Sequence, residues 1–333
     1  MDIGPPYGVS GDLLRSFKTH IAHSIWPAPG SGILPAPAPR SLRAASRPSQ
    51  MSSVTRLVPR VAGVPWFHIV VDAGFGRLHD ICFGKVDHIL LTAFVERWHL
   101  ETNSFHFPWG EITPTLHDIM CLMSLPIDGL RCCALPEDPE TDELIDYIFG
   151  WDAAVMASEK PITAGSMMFS EALAYLRDMI HDDGDPGCIA TLYMWLAVSS
   201  SLFVDKTTNK LRVDMLPLLQ DSDRAARTAW GAGVLAFLYR HLGIASRAKT
   251  VVIAGCTYLL MVWIWTYFPF FPGNPNPRTG MLDDQRRAAR YRVQRTALRR
   301  TSDILDYRRI LDQYRPEDVS NNLLNYRYNC ALR

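Results

Sequence analysis

The sequence predicts a mainly α, single multi-helix globular domain with one or two short β-hairpins and a disordered N-terminal leader. Apolar residues recur at helical spacing in several segments, and one short aromatic segment alternates with period two between turn residues. The first 60 residues show neither pattern. With 333 residues, of which 48% are hydrophobic, the chain is long enough to bury a core without disulfides or metal ions.

Residues 1–60 form the predicted leader. The stretch PAPGSGILPAPAPRS has no apolar periodicity and favours extended, polyproline-like conformations. Arginines lie among Ser, Ala and Pro, and no acidic residue occurs between Asp12 and Asp72, which also gives the leader some transit-peptide character. We therefore expect a leader over 1–60, a helical domain over 61–320 and a short tail over 321–333.

Two helices and a hairpin follow the leader. Apolar positions at i, i+3, i+4, i+7 and i+8 from Val86 predict a helix that ends at about Trp98. Alternating aromatic residues in 103–110 predict a short strand or hairpin. The second helix has Thr113 as its predicted cap and ends before Pro126, where a turn begins.

The middle of the chain contains further helical patterns. Residues 170–180 are amphipathic and end at the turn-forming sequence HDDGDPG. Residues 186–204 contain no charged residue, and a polar turn at 205–210 leads into alternating apolar residues. Residues 230–242 place their apolar side chains on one side of a helix, for which Gly243 is the predicted C-terminal cap.

The apolar segment 251–271 leaves two alternatives open. No charged residue occurs between Lys249 and Arg278, so the segment is long enough to span a bilayer. Gly255 and Pro269 interrupt it, however, and a helix that is apolar on all sides equally suits the centre of a large domain. The residues alone predict either a membrane-spanning helix or a buried core helix.

The net charge of zero hides a segregation of charge along the chain. Residues 61–185 carry six Lys and Arg against twenty-one Asp and Glu. The segments 1–60, 186–280 and 281–333 each carry a net charge of +5. This asymmetry indicates either that acidic and basic regions pack against each other or that a basic surface is available to an anionic partner.

The strongest local feature is a basic run at 286–300, which contains seven arginines and no acidic residue. Guanidinium groups bind phosphates with two parallel hydrogen bonds, so the run is a candidate nucleic-acid contact. A nuclear-import signal, a solvated helix and a basic strip that covers the acidic region 61–185 are the alternatives. The candidate contact residues are Arg286, Arg287, Arg290, Arg292, Arg295, Arg299 and Arg300.

Familiar catalytic and cofactor motifs are missing from the sequence. It has no P-loop, no dinucleotide glycine fingerprint, no Gly-x-Ser-x-Gly and no His-Glu-x-x-His. The clustered candidates for chemistry lie around the hairpin, with helix capping and hairpin hydrogen bonds as the alternative role. They are Glu96, Glu101, His106 and Glu111. We expect no enzyme activity, no catalytic residue, no cofactor and no metal site.

Several segments together resemble the plant mobile domain of the MAIN-like (MAINTENANCE OF MERISTEMS-like) proteins, a family also described as aminotransferase-like. The longest is LLTAFVERWHLETNSFHFPWGEITPTLHDIMCLMSLPIDG. It is followed in the family's order by SLFVDKTTNKLRVDMLPLLQD, AWGAGVLAFLYRHL, GCTYLLMVWIWTYFP and YRRILDQYRPEDV, so the resemblance runs from about residue 84 to about residue 319. The fingerprint residues are Glu96, Arg97, Trp98, Glu101, Thr102, Phe105, Pro108, Gly110, Glu111, Thr113, Asp118, Pro126, Asp128, Gly129, Trp230 and Gly231.

The resemblance implies a mainly helical domain found in cellular genes and in transposable elements. Some members act in the nucleus in meristem maintenance, genome integrity and the silencing of genes and transposons. It therefore implies a nuclear location, with the cytoplasm or an organelle as alternatives, and protein partners, among them a phosphatase-like protein as in relatives. It also disfavours a membrane segment. One departure is Thr266-Tyr267, which stands where the family usually has a charged pair before Phe-Pro, and it puts in doubt any surface contact made there.

Overall fold

Helices make up most of the described chain, which confirms the mainly α class predicted from the sequence. The computed structural model describes residues 15–25, 42–45, 48–59, 63–76, 78–80, 86–133, 140–150, 162–163, 165–207, 209–269 and 304–319. Its α-helices are α1 (Ile21–Ile25), α2 (Pro48–Thr55), α3 (Pro65–Asp72), α4 (His88–Val95), α5 (Leu116–Met123), α6 (Glu140–Phe149), α7 (Phe169–His181), α8 (Pro186–Ser201), α9 (Ser222–Arg227), α10 (Trp230–Ala245), α11 (Thr257–Tyr267) and α12 (Ile304–Gln313).

The strands are short and belong to three small sheets. They are β1 (Arg43–Ala44), β2 (Trp98–His99), β3 (Ser104–Phe107), β4 (Gly110–Ile112), β5 (Ile162–Thr163), β6 (Ser166–Met168), β7 (Lys210–Arg212) and β8 (Val252–Ile253). Strands β2-β3-β4 and β5-β6-β7 form antiparallel sheets, while β1 pairs with β8 in parallel. The hairpin predicted at 103–110 is therefore the β3-β4 part of a three-stranded sheet.

Two helices that are apolar on nearly every side form the centre of the molecule. Helix α8 contains no charged residue, and almost all its side chains are buried, against α2, α3 and α7. In α11, every residue from Thr257 to Thr266 is buried, and the helix packs against α5. A helix without a polar face has to be surrounded by other elements, which is why these two helices lie inside the fold.

The apolar segment 251–271 is divided within the fold. Its start is strand β8, and Gly255 then turns the chain at a positive φ of 89° before α11 begins. Helix α11 has 11 residues, a length of about 16 Å. In the described part of the chain, no helix has the length and apolar character needed to cross a membrane.

The predicted cap of α5 is wrong by two residues. Thr115, not Thr113, precedes the helix, and its hydroxyl accepts a hydrogen bond from the backbone of Asp118 while the Asp118 carboxylate accepts one from the Thr115 backbone. The Thr113 hydroxyl is engaged elsewhere, because it donates to the carbonyl of Asn103 at 2.7 Å. A reciprocal capping box satisfies two free donors at the helix start, which favours the later position.

Two predicted helix ends also need correction. Helix α4 ends at Val95 rather than near Trp98, because Trp98 already pairs with Phe105 in the sheet. Helix α10 continues through Gly243 to Ala245. A Cβ on Gly243 would lie 2.5 Å from Cδ1 of Leu100, so this glycine provides space for a packed side chain and does not cap the helix.

Parts of the segment predicted as a leader pack against the helical domain at the described residues. Strand β1 pairs in parallel with β8, and Leu42, Met51 and Val54 are buried. Helix α2 packs against the central helix α8, where the Ser200 hydroxyl contacts the Met51 sulfur. Isolated apolar side chains in a segment without periodicity are enough for this docking because the partner surface is already formed.

His20 attaches another part of the leader to the hairpin sheet. Its Nδ1 accepts a hydrogen bond from the backbone of Ala22 at 3.0 Å, so Nε2 carries the proton and donates to the carbonyl of Trp98 at 2.9 Å. Burial lowers the pKa of His20 to about 4, which keeps the imidazole neutral at neutral pH. The neutral ring is therefore the form that makes both contacts.

We predict that Met51→Ala destabilises the protein by about 2–4 kcal/mol, because it leaves a cavity against α8. The matched control is Arg56→Ala, a change of an exposed residue near the end of α2, which should shift the free energy of unfolding by less than about 0.5 kcal/mol. Urea unfolding followed by circular dichroism measures both. Equal, small effects of the two changes would show that the leader does not contribute to the core.

Candidate functional site

The fingerprint residue Glu96 holds the last described helix of the chain. Its fully buried carboxylate lies just after α4 and accepts two hydrogen bonds from Arg308 of α12, from Nε at 2.8 Å and from Nη2 at 2.7 Å. The Arg308 side chain is also fully buried. Two parallel charge-assisted hydrogen bonds satisfy both carboxylate oxygens, and this is the arrangement that makes a buried ion pair tolerable.

The neighbouring Arg97 makes a second contact with α12, in which the helix supplies the acidic side chain. Its Nη2 donates to Oδ1 of Asp312 at 2.8 Å and to the carbonyl of Arg308 at 3.3 Å. At the other end of α4, Tyr307 donates to Oδ2 of Asp87 at 3.2 Å, and the second oxygen of Asp87 caps the first turn of α4. Both ends of α4 therefore fix α12 in place.

Trp98 and Phe105 connect the hairpin sheet to the core. Their rings meet edge to face with centroids 4.9 Å apart, and Phe105 stacks on Trp263 of α11 at 5.7 Å. Pro108 and Gly110 lie at the turn between β3 and β4, where Gly110 has a positive φ of 145°. These four fingerprint positions shape and anchor the sheet.

A polar cluster lies on the hairpin sheet. The Ser104 hydroxyl donates to Oε2 of Glu111 at 2.7 Å, and Nε2 of His106 lies 3.2 Å from the same oxygen. The Thr102 hydroxyl lies 3.1 Å from His106 Nε2, and the His106 ring stacks on His99 with centroids 3.6 Å apart. The cluster joins the three strands by side-chain contacts.

The four candidates for chemistry do not form one group. The structure brings His106 and Glu111 together, but it places Glu96 in the buried pair with Arg308. Glu101 is exposed and accepts hydrogen bonds from the backbone nitrogen and hydroxyl of Ser16, at 3.2 and 3.4 Å. Both oxygens of Glu96 accept a hydrogen bond from a guanidinium and the side chain is fully buried, so the carboxylate is not accessible to a substrate.

Asp118 connects α5 to α11. Its Oδ2 takes part in the capping box with Thr115, and its Oδ1 accepts a hydrogen bond from Tyr267 at 2.6 Å. Tyr267 is one of the two residues that replace the family's usual charged pair. On the neighbouring helix α10, the Tyr239 hydroxyl lies 3.0 Å from that of Thr113. At this departure from the family pattern, the chain makes an internal hydrogen bond.

The remaining fingerprint residues lie where the backbone of the 126–130 loop approaches the start of α10. They are Pro126, Asp128, Gly129, Trp230 and Gly231. Gly231 donates its N–H to the carbonyl of Pro126 at 2.7 Å. Gly129 has a φ of 129°, and a Cβ there would lie 2.0 Å from the carbonyl oxygen of Arg227, so only glycine fits. The indole of Trp230 donates to the carbonyl of Ala225 at 2.8 Å.

A cavity of about 560 Å³ lies beside β7, and no sequence pattern points to it. Its lining comes from the loop before residue 134, the end of α8, the segment around β7 and one face of α10. Residues that line it include Cys132, Phe203, Lys210, Arg212, Phe237 and Arg240. Because these segments are far apart in sequence, local periodicity carries no signal of their proximity. None of the fingerprint residues lines the cavity.

Two further predictions concern partners and metals. All seven arginines of the basic run 286–300 lie outside the residues that the structure describes. Among the described residues, no group of three or more His, Cys, Asp or Glu is arranged to hold a metal ion.

We predict that Arg308→Met destabilises the protein by about 3–5 kcal/mol, because it leaves the Glu96 carboxylate buried and unpaired. The double change Glu96→Leu with Arg308→Met should recover much of this loss, because it removes both buried charges. Arg309→Ala is the matched control, since the adjacent Arg309 forms an exposed pair with Asp306 and should contribute less than about 0.5 kcal/mol. Thermal and urea unfolding measure the series, and a small effect of Arg308→Met would contradict the structural role.

The chain is similar to a known protein family and to several plant proteins. The plant mobile domain family model matches residues 74–323. The chain is 32% identical over 314 residues to protein MAIN-LIKE 2 of Arabidopsis thaliana, covering 92% of this chain and 43% of that protein. It is also 32% identical over 257 residues to protein MAINTENANCE OF MERISTEMS of the same plant, covering 76% of this chain and 51% of that protein.

A third relative carries a different name. The chain is 31% identical over 202 residues to the serine/threonine-protein phosphatase 7 long form homolog of Arabidopsis thaliana, covering 59% of this chain and 14% of that protein. The chain spans about half the length of the MAIN-type relatives. No solved structure matches it significantly. From the family match over most of its length, the chain belongs to the plant mobile domain family.

Proposed function

We propose that the chain is a non-enzymatic interaction module that acts in the nucleus. The observation that carries this proposal is the buried position of Glu96 and Arg97 in the fold. These charged fingerprint residues are both fully buried and bound by α12, so they serve the architecture and are not presented to a substrate. A scaffold held together in this way has its remaining surface available for partners.

The biological role that we propose follows the names of the relatives and what the family resemblance implies. One is called MAINTENANCE OF MERISTEMS and another MAIN-LIKE 2. We propose that this chain shares a role in meristem maintenance, genome integrity and the silencing of genes and transposons. Because it spans about half of those proteins, the proposal concerns the plant mobile domain and the contacts it makes.

A phosphatase-like protein is the partner that we propose. The chain is similar to part of a protein whose name describes a serine/threonine phosphatase in a long form. Where a phosphatase shares a chain with a second domain, the two are kept close at high effective concentration. A separate plant mobile domain chain would reach such a phosphatase by binding it.

We expect a tagged chain to be nuclear and to purify with chromatin-associated or phosphatase-like proteins from nuclear extract. Fluorescence microscopy and mass spectrometry measure the two outcomes. The Arg308→Met variant is the control, because partners that recognise the folded domain should be reduced with it. A tagged chain outside the nucleus, with no such partner above the control, would contradict the proposal.

A second candidate function is nucleic-acid binding by the basic run 286–300, in a protein of transposon origin. Its support is the presence of seven arginines without an acidic residue in fifteen positions. Arginine pairs with phosphate in a bidentate geometry, and Tyr291 among them is able to stack on a base.

We expect the logarithm of the DNA-binding constant to fall against the logarithm of salt concentration with a slope of about −6, if all seven arginines contact phosphates of a duplex. Changing them to alanine should remove both the binding and its salt dependence. Fluorescence anisotropy with a labelled duplex and a labelled RNA measures this. Unchanged binding by the alanine variant would eliminate the basic run as the contact.

A further inference from the structure

We propose that the cavity beside β7 binds an extended acidic peptide segment of a partner protein, with an apolar side chain of the peptide inserted beside Phe203 and Phe237. The inference rests on the proposed function as an interaction module and names the surface that would make the contact. Three features of the described residues carry it: an open strand edge, an aromatic wall and an excess of unpaired cations.

The strand edge is available at Lys210. Among the described residues the sheet order is β5-β6-β7, so β7 pairs with a strand on one side only. Phe169 donates its N–H to the carbonyl of Asn209, and Val213 donates to that of Gly165. Because alternate residues face the partner in an antiparallel ladder, Lys210 and Arg212 direct their backbone groups away from β6.

Helix α8 covers one end of this edge and leaves the other open. The Trp195 indole donates to the carbonyl of Arg212 at 2.7 Å, which satisfies the edge there. Ser199 lies one helical turn further along the same face of α8 and lines the cavity together with Lys210. A serine side chain is too short to fill the space that an indole fills. The cavity therefore begins at Ser199, beyond the part of the strand edge that Trp195 covers.

The wall opposite the strand is aromatic. The rings of Phe203 and Phe237 meet edge to face with centroids 5.4 Å apart, and both line the cavity. The His241 ring lies 4.3 Å from Phe237, and burial lowers the pKa of His241, which favours its neutral form. The cavity volume of about 560 Å³ is in the range of sites that enclose small ligands or inserted side chains.

The charges around the cavity favour an acidic partner. Arg212 is held by Asp214 in an ion pair, whereas Lys210 and Arg240 are exposed and make no ion pair among the described residues. Asp205 is the other acid in the lining, so unpaired cations exceed unpaired acids. Two cations at the rim beside an open strand edge suit a peptide that adds backbone hydrogen bonds and supplies carboxylates.

Selection of a phage-displayed library of random twelve-residue peptides against the full chain tests the proposal. We expect enrichment of peptides that combine acidic residues with an aromatic or aliphatic one. A synthetic enriched peptide, labelled with fluorescein, should bind Lys210→Glu/Arg240→Glu about tenfold or more weakly, because like charges then face each other. Ala236→Trp should also abolish binding, because this exposed position lines the cavity and the indole would fill it.

The matched control is Arg177→Glu/Arg247→Glu, which reverses two exposed cations outside the cavity and should leave the affinity unchanged. Equal weakening by this control, no enrichment, or full binding by the cavity variants would overturn the proposal. Phenylacetate binding as tightly as the peptide would also overturn it, in favour of a small-molecule site. If Lys210→Glu/Arg240→Glu still purifies all nuclear partners, the cavity assignment fails while the interaction function stands.

Discussion

The buried contact between Glu96 and Arg308 is the constraint on which the architecture depends. It joins α4 to α12 across 212 residues of sequence, and both side chains are removed from water. Such a pair stabilises a structure only when the hydrogen bonds are complete, because each ion loses several kcal/mol of solvation on burial. The hydrogen bonds of Arg97 with Asp312 and of Tyr307 with Asp87 hold α12 on either side of this pair.

This contact also answers part of the question raised by the charge segregation. The acidic region 61–185 contributes one acid and one base to the contact, and the basic tail 281–333 does the same. The two regions meet with both signs on each side, so the contact leaves their net charges unchanged. Among the described residues, these are the ion pairs that join the two regions.

The fingerprint residues and the residues that line the proposed peptide site are different. The fingerprint residues form the α12 contact, the hairpin sheet, the α5 cap and the loop against α10. The cavity beside β7 is lined by other residues, several of them exposed. This separation has a physical reason: buried polar groups must be fully satisfied by the protein, whereas a recognition surface needs groups that a partner can satisfy. The fingerprint residues thus belong to the framework, and the cavity at which we propose that a peptide binds is lined by other residues.

The sequence by itself determined the helical class, the hairpin and the family, because these depend on local periodicity, turn residues and a long continuous string. The sequence located helix ends only to within a few residues of the observed ones at Thr115 and Val95. The reason is that a residue such as Thr113 or Trp98 cannot cap or continue a helix when tertiary contacts already hold it elsewhere. Only the tertiary structure decided that Glu96 pairs with Arg308, that parts of the leader join the core and that a cavity forms beside β7. Each of these joins segments distant in sequence, and a pattern along the chain does not record which distant side chain will satisfy a buried charge, cover an apolar surface or leave a strand edge open.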